Sequence, residues 1–344
     1  MSSPTRADDA TPAGTGGSEA PAMRRDDTSE PFRFARPGEK RRMLIIVNPY
    51  ATTVSDRLRH LVVYALQGRF EVDAVDTEAP GHAVEICREA AHEGYDVVVA
   101  FGGDGTVNEA ANGLLGSSTP LCCLPGGSAN VFGKLLGIPG DVVDATEHLL
   151  KMADDWKPRK VDIGVVNGRC FTFASGLGLD ASVVERVDSN PRLKARLGAY
   201  YFTWVAVTTF LRRYLVRPPR LRVEANGSTV DGVTAIVQNG NTFTYFQNRP
   251  IEIADGAELD SGQLSSGVLH RAMLLSMPFI AWRAFSRRAR VTNHRQITGL
   301  SSLSELTVRS TDERLLPLQV DGDYLGEVAE ASYSIIPDAL TVIS

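Results

Sequence analysis

Cysteine is scarce: the four present, Cys87, Cys122, Cys123 and Cys170, include no CxxC pair. That spacing offers neither a disulfide framework nor a zinc site, and it fits a reducing cytoplasm. A basic excess is missing as well. With 36 Lys and Arg against 41 Asp and Glu the formal charge is −5, and binding a phosphate backbone calls for a basic footprint, so a nucleic-acid partner is not expected. Long apolar runs are absent too. The best stretch, residues 197–211, covers about 22 Å as a helix against a hydrocarbon core of about 30 Å, and Arg212 and Arg213 close it. No transmembrane segment is expected, and no apolar run follows the early basic residues to make a secretory signal. The histidines, His60, His82, His92, His148, His270 and His294, share no metal or triad spacing.

What is present is an ordinary soluble composition, 43% hydrophobic and 22% charged over 344 residues, enough for one large or two ordinary domains. Residues 1–40 stand apart. They are rich in Pro, Gly, Ser, Thr and charge, hold few aliphatics to bury, and read as a disordered tail.

From Met43 one grammar repeats three times. MLIIV leads into the loop NPYATTVS and the helix-spaced DRLRHLVVYAL; DVVVAF leads into GGDG and TVNEAANGLL; LCCLP leads into GGSA and NVFGKLLG. Apolar runs that do not alternate are what strands buried on both faces look like, and the intervening amphipathic helices supply the covers. A three-layer parallel α/β domain is predicted over residues 41–158, with its loops at strand C-terminal ends, where such sheets bind ligands. After about Lys160 the rhythm changes to VDIGVV, CFTFAS, LRVEANGSTV, TAIVQNG, ELTVRS, PLQVDGDYLG and YSIIP. These strand-like pieces separated by turn residues predict a β-rich, sandwich-like second domain over residues 159–330, with residues 331–344 available to complete the first.

GGDGTVNEA is the most informative stretch. Gly102, Gly103 and Gly105 let a ligand approach backbone amides with no Cβ in the way. Thr106 with Glu109 three residues later reads as a capping box, which would aim a helix N-terminus at whatever the glycines cradle, and phosphate is the natural guest. A plain strand-to-helix turn would explain two glycines but not an Asp inside a three-glycine loop. Other nucleotide motifs fit poorly. In GGSANVFGKLL five residues separate Gly127 from Gly133, and Leu135 follows Lys134 where a P-loop needs Ser or Thr. SGLGLDA has GxGxxA spacing but no βαβ continuation.

Taken in order, the Asn-Pro at the first strand's end, GGDGTVNEAANGL, PGGSANVFGKLLGIP, SGLGLDA and VDGDYLG resemble the diacylglycerol kinase catalytic family, the group that also holds sphingosine kinases and bacterial soluble lipid kinases. The resemblance runs from about Arg42 to the C-terminus. It implies two domains with ATP in the cleft between them, and transfer of the γ-phosphoryl group to a lipid hydroxyl. It places the nucleotide site on Asn48, Thr77, Gly102, Gly103, Asp104, Gly105, Thr106, Asn108 and Ser128. It gives Asp104 the task of helping to hold Mg²⁺, since a backbone cradle alone cannot neutralise developing phosphoryl charge. It gives Asp323 the proton of the acceptor hydroxyl and Asp321 a supporting part. Asn48 serves equally as a turn former, Ser128 as an N-cap, and Asp321-Gly322 as a hairpin turn.

The chain departs from the family pattern in three places. Tyr50, Ala51 and Thr52 stand where Ser and Gly are usual in the first loop. Asp323 replaces the usual Glu, one methylene or about 1.5 Å shorter. Ser261 precedes Gly262 where relatives offer an Asp to a structural metal, and serine is a poor ligand for a hard cation. Two alternatives stay open on these grounds: a nucleotide-binding regulator of the same fold without transfer activity, and a soluble kinase like the NAD kinases. Residues 200–214 and 269–290 combine aromatics and aliphatics with arginines, among them Arg283, Arg287, Arg288 and Arg290. This composition suits either a β domain's covering helices or the surface of an anionic leaflet, so a peripheral position at the inner membrane face is expected, and a homodimer is left open.

Overall fold

The computed structural model describes residues 40–344 apart from Thr52, Gln247, Asn248 and Arg287, and it leaves out the side chains of residues 191, 192 and 194–200. Residues 1–39 of the expected tail, and the expectations that fall on Thr52 and Arg287, lie outside the described residues. The first elements are β1 (Arg41–Val47), α1 (Asp56–Gln67), β2 (Phe70–Asp76), α2 (His82–Glu93), β3 (Val97–Gly102), α3 (Asp104–Leu114), β4 (Leu121–Pro125), α4 (Val131–Leu135) and α5 (Val142–Met152). Then come β5 (Arg159–Val166), β6 (Arg169–Phe171), β7 (Ala174–Leu177), α6 (Leu179–Asp188) and α7 (Pro191–Thr209), which runs into a π-helical turn, Phe210–Tyr214. The strands β8 (Leu221–Ala225), β9 (Ser228–Gly232), β10 (Thr234–Gln238), β11 (Thr244–Phe246), β12 (Arg249–Ile251) and β13 (Leu264–Leu269) precede α8 (Met277–Ala284). The chain closes with β14 (Ile297–Leu303), β15 (Glu305–Ser310), β16 (Leu316–Val320), β17 (Asp323–Val328) and β18 (Glu330–Val342).

The runs MLIIV, VVVAF and LCCLP are β1, β3 and β4, buried along their apolar lengths as two-sided strands must be. With β2 they pair in parallel in the order β2-β1-β3-β4. Chain order therefore reverses between β1 and β3. At such a switch point the loops leaving adjacent strands diverge and open a crevice beyond the strand carboxyl ends. Local chemistry fixes the flanking helices: Ser55 Oγ accepts the Leu58 N–H at the start of α1, and Asp141 accepts those of Val143 and Asp144 at the start of α5.

The thirteen-residue β18 joins the two halves of the fold. It meets β4 in parallel at Val342 and Leu121, then runs antiparallel to β5 and β15, extending the same sheet to β8 and β9. A second, antiparallel sheet of order β14-β13-β10-β7-β16-β17 packs over this extension. Leu177, Ala235, Val268 and Leu318 from one sheet and Val223, Val308, Ala331 and Tyr333 from the other fill the core between them. The first domain is thus parallel α/β and the second an antiparallel β sandwich.

Candidate active site

All four parallel strands deliver a loop to the same edge. Asn48 follows β1, its N–H bonded to the Phe101 carbonyl at 3.0 Å. Its Nδ2 donates to Thr106 Oγ1 at 3.0 Å, and its Oδ1 accepts the Tyr50 N–H at 3.0 Å. Asn48 is therefore both a turn former and a tie to the glycine loop. Thr77 follows β2 one strand further out, half-buried, its N–H on the Val47 carbonyl at 2.8 Å.

The loops after β3 and β4 press backbone against backbone. A Cβ on Gly126 would fall 2.8 Å from Gly102 Cα, and one on Gly127 would fall 2.7 Å from Gly103 Cα. Neither Gly126 nor Gly127 can take a side chain without parting the loops, which is what the GG of GGSA supplies, while a Cβ on Gly102 would instead meet Thr106 Oγ1 at 2.5 Å. Asn130 closes the second loop on itself through Gly127, accepting its N–H at 2.9 Å and donating to its carbonyl at 2.8 Å.

The helix after GGDG begins earlier than the capping-box reading places it. Its first residue is Asp104 and its N-cap is Gly103, so Thr106 lies inside the first turn. Glu109 turns away from its own helix and accepts the Gly81 and Ala83 N–H groups at 2.8 and 3.3 Å, capping α2 across space. Asp104 likewise serves a neighbour: its Oδ1 accepts the Val131 and Phe132 N–H groups at 2.6 and 3.3 Å, so it caps α4 in place of Ser128. Ser128 itself is exposed on the third loop. Burial, and then the charge of Asp321, push the Asp104 carboxyl up to about 7.

The second domain reaches this loop through one hairpin. Asp321 and Gly322 link β16 to β17 with φ of 48° and 87°, the left-handed pair that a two-residue hairpin loop requires, and Val320 pairs with Asp323 across it. The expected hairpin turn is present. Asp321 points inward and takes five donors: Asn108 Nδ2 at 2.8 Å, Thr172 N and Oγ1 at 2.6 and 2.8 Å, and the Phe173 and Ala174 N–H groups at 3.1 Å. Burial raises its pKa while these donors oppose the rise. Asp323 points the other way. A Cβ on Gly105 would lie 2.9 Å from Asp323 Oδ2, so its carboxylate stands directly over the glycine loop, while the residue is exposed to solvent.

Three polar residues around this seam escaped the sequence reading. Lys134 borders a small cavity with Gly102, Asp104 and Asn130, and its Nζ lies 4.6 Å from the Tyr245 ring centroid on β11. Burial pulls its pKa down and Asp104 opposes the shift. Its signal was the GK of GGSANVFGKLL, set aside with the P-loop. Asp180, the acid of SGLGLDA, is pushed up to about 6 by burial and accepts Gln319 Nε2 at 2.7 Å. Gln319 Oε1 in turn accepts the Gly322 N–H at 2.9 Å, which ties Asp180 to the hairpin. Arg169 Nη2 donates to Asn108 Oδ1 at 3.1 Å, and no local pattern marked it.

The family described as diacylglycerol kinase catalytic domain matches residues 42–166, and the YegS C-terminal NAD kinase beta sandwich-like domain matches residues 174–344. Proteins named diacylglycerol kinase from two Staphylococcus aureus strains, bovine RF122 / ET3-1 and MRSA252, are each 28% identical over 299 residues, covering 84% of this chain and 88% of theirs. Two solved structures from Bacillus anthracis str. Sterne, the first named a diacylglycerol kinase, superpose with TM-scores of 0.65 and 0.69 at 21% and 23% identity. Each match covers 88% of this chain and 96% of the other, and the likeness carries the fold.

Proposed function

The chain belongs to the diacylglycerol kinase catalytic-domain family, and on that premise we propose that it transfers the γ-phosphoryl group of ATP to the hydroxyl of diacylglycerol or a closely related lipid at a membrane surface. One observation carries the reading: the glycine loop and the Asp321-Gly322 hairpin, more than two hundred residues apart in sequence, meet with the Asp323 carboxylate over Gly105 and Asn108 bonded to Asp321. A hairpin that only turned the chain would not need an acid aimed at a phosphate cradle.

In this mechanism Gly102, Gly103 and Gly105 admit the nucleotide phosphates to backbone amides at the start of α3, where the helix dipole favours negative charge. Asn48 and Thr106 brace that loop from the side, and Thr77 and Ser128 border the nucleotide. Lys134 supplies a cation beside Asp104. Asp323 accepts the proton of the lipid hydroxyl as its oxygen attacks the γ-phosphorus, and the leaving oxygen stays with ADP. Asp321, with all five donors in place, holds the hairpin and with it the aim of Asp323.

Mg²⁺ suits the residues present. Among the described residues no group of three or more His, Cys, Asp or Glu gathers to cage a metal. Mg²⁺ is commonly held by one or two carboxylates together with substrate phosphates and water. Asp104 is the carboxylate that would hold it; bound there, the ion would offset phosphate charge and favour the ionised form of an acid that burial otherwise holds near neutral pH.

The relatives' names favour a transferase over a nucleotide-binding regulator or an NAD kinase. Incubating the protein with γ-labelled ATP, Mg²⁺ and a panel of diacylglycerol, ceramide, sphingosine and NAD tests this. Label is expected in the diacylglycerol product. Label in NAD alone, or bound ATP with no acceptor labelled, would refute it.

A further inference from the structure

We propose that the segment 271–295, built around α8, is a docking surface for an anionic lipid bilayer. The proposal deepens the lipid kinase reading and rests on it for its purpose, while the surface is argued from its own residues.

Strands β13 and β14 pair as neighbours, with Leu269 opposite Ile297. A loop of about two to five residues would join such strands. Residues 270–296 are inserted there instead, so the segment exists for something other than the connection. One face of α8 is accounted for: Ile280 is buried with Val233, Leu269 and Val291, and Met277 and Ala284 pack beside it. The opposite face is not. Phe279 and Trp282, three residues apart on the helix, are 63% and 62% exposed, and Leu275, in the turn just before it, is 81% exposed. A surface helix ordinarily turns charge outward, and a run of large apolar side chains in that position marks an interaction site.

Charge selects the partner. Residues 271–295 contain six arginines and no Asp or Glu, in a chain whose formal charge is −5. Arg271, Arg288, Arg290 and Arg295 are exposed, and Arg283 is half-buried with its guanidinium on the Arg290 carbonyl. Asp255 lies 3.8 Å from Arg290. The local field is positive enough that Arg283 and Arg295 add to burial in holding His294 below its ordinary value. A patch of Leu, Phe and Trp edged by arginine fits the headgroup and acyl boundary of an anionic leaflet. A second copy fits less well, because a two-fold contact would set the same arginines against each other.

The position serves the chemistry. Phe285, at the end of α8, packs edge-on against Phe246 at 5.4 Å. The preceding residue, Tyr245, lies beneath Lys134 at the Asp104 cavity. Docking by α8 would therefore bring the bilayer to the neighbourhood of the glycine loop.

Sedimentation of the full chain with phosphatidylcholine vesicles, and with phosphatidylcholine mixed with phosphatidylglycerol, tests the surface. Binding is expected to favour the mixed vesicles and to weaken with salt. Arg283→Gln with Arg288→Gln should lower partitioning about 25-fold, about fivefold per charge. Leu275→Ser with Phe279→Ser should lower it more than about tenfold at both compositions. Melting curves check the fold, and should the serine pair fail to fold, the arginine pair carries the test. Turnover on a short-chain diacylglycerol dissolved in water should be unchanged in both variants. Absent wild-type binding to the mixed vesicles, or equal binding by the variants, would overturn the docking while soluble turnover leaves the kinase reading standing. Vesicle binding with no turnover on any lipid would do the reverse. A dimer in sedimentation velocity that the serine pair splits, with vesicle binding unchanged, would assign the face to self-association and overturn the proposal.

Discussion

Gly105→Ala separates stability from catalysis, because the two should move in opposite directions. Gly105 is the second residue of α3 and does not take a left-handed φ, so its backbone accepts a side chain. Alanine in a helix is favoured over glycine by about 0.5–1 kcal/mol, so the melting temperature should hold or rise. The new Cβ, however, would stand 2.9 Å from Asp323 Oδ2, where ordinary contact begins near 3.4 Å. The obstacle is the end of a side chain and not backbone, so it yields: the carboxylate swings by at least about half an ångström. A misplacement of about 1 Å costs on the order of 100-fold in rate, so about half of that distance predicts a loss of about tenfold in kcat. The assay is turnover at saturating ATP and lipid, with nucleotide affinity measured separately. Wild-type kcat, or a loss lying wholly in ATP affinity, would refute the claim that Asp323 works from above the glycine loop.

Asp321→Ala should cost about 3–5 kcal/mol by denaturant melt, since it strips the acceptor from five buried donors; a loss under about 1 kcal/mol would show that water replaces it. Glu109→Ala should cost about 1 kcal/mol by uncapping α2, with protection of the Gly81 and Ala83 amides from exchange falling first. Asp180 gives a pH signature. Burial raises its folded pKa to about 6 from 3.8, so the folded state holds the proton more tightly than the unfolded one. Its contribution is fully present below about pH 4 and is lost as pH rises through about 6, by at most about 3 kcal/mol. Asp180→Asn, which keeps an acceptor for Gln319, should flatten that decline in a melting series, and an unchanged slope would exclude Asp180 as its source.

The parallel core was legible because strands buried on both faces leave a signature in consecutive residues: MLIIV, VVVAF and LCCLP need no partner to be recognised. The glycine pairs were legible as motifs, although their reason, the approach of Gly126 to Gly102 and of Gly127 to Gly103, is a contact between distant loops. Capping was misread for the same cause. The pattern Thr106 to Glu109 satisfies a local rule, yet both Glu109 and Asp104 bond to helices that arrive from elsewhere, and no window of sequence holds those partners. Asp321 and Asp323 are two residues apart, and only the family resemblance gave Asp323 the base's part and Asp321 a supporting one. Strand alternation would put residues two apart on one face; the left-handed turn at Asp321 and Gly322 instead sends one inward to Thr172, Phe173 and Ala174 and the other over Gly105, which only the pairing of β16 with β7 and β17 establishes.

The most direct test sets Asp323→Asn beside Asp321→Asn in one experiment, reading kcat on diacylglycerol, ATP affinity and the melting curve for each. The account predicts that Asp323→Asn loses at least about 100-fold in kcat with its fold and ATP affinity intact, whereas Asp321→Asn loses stability first. Full turnover by Asp323→Asn would contradict it and leave the acceptor's proton to another base.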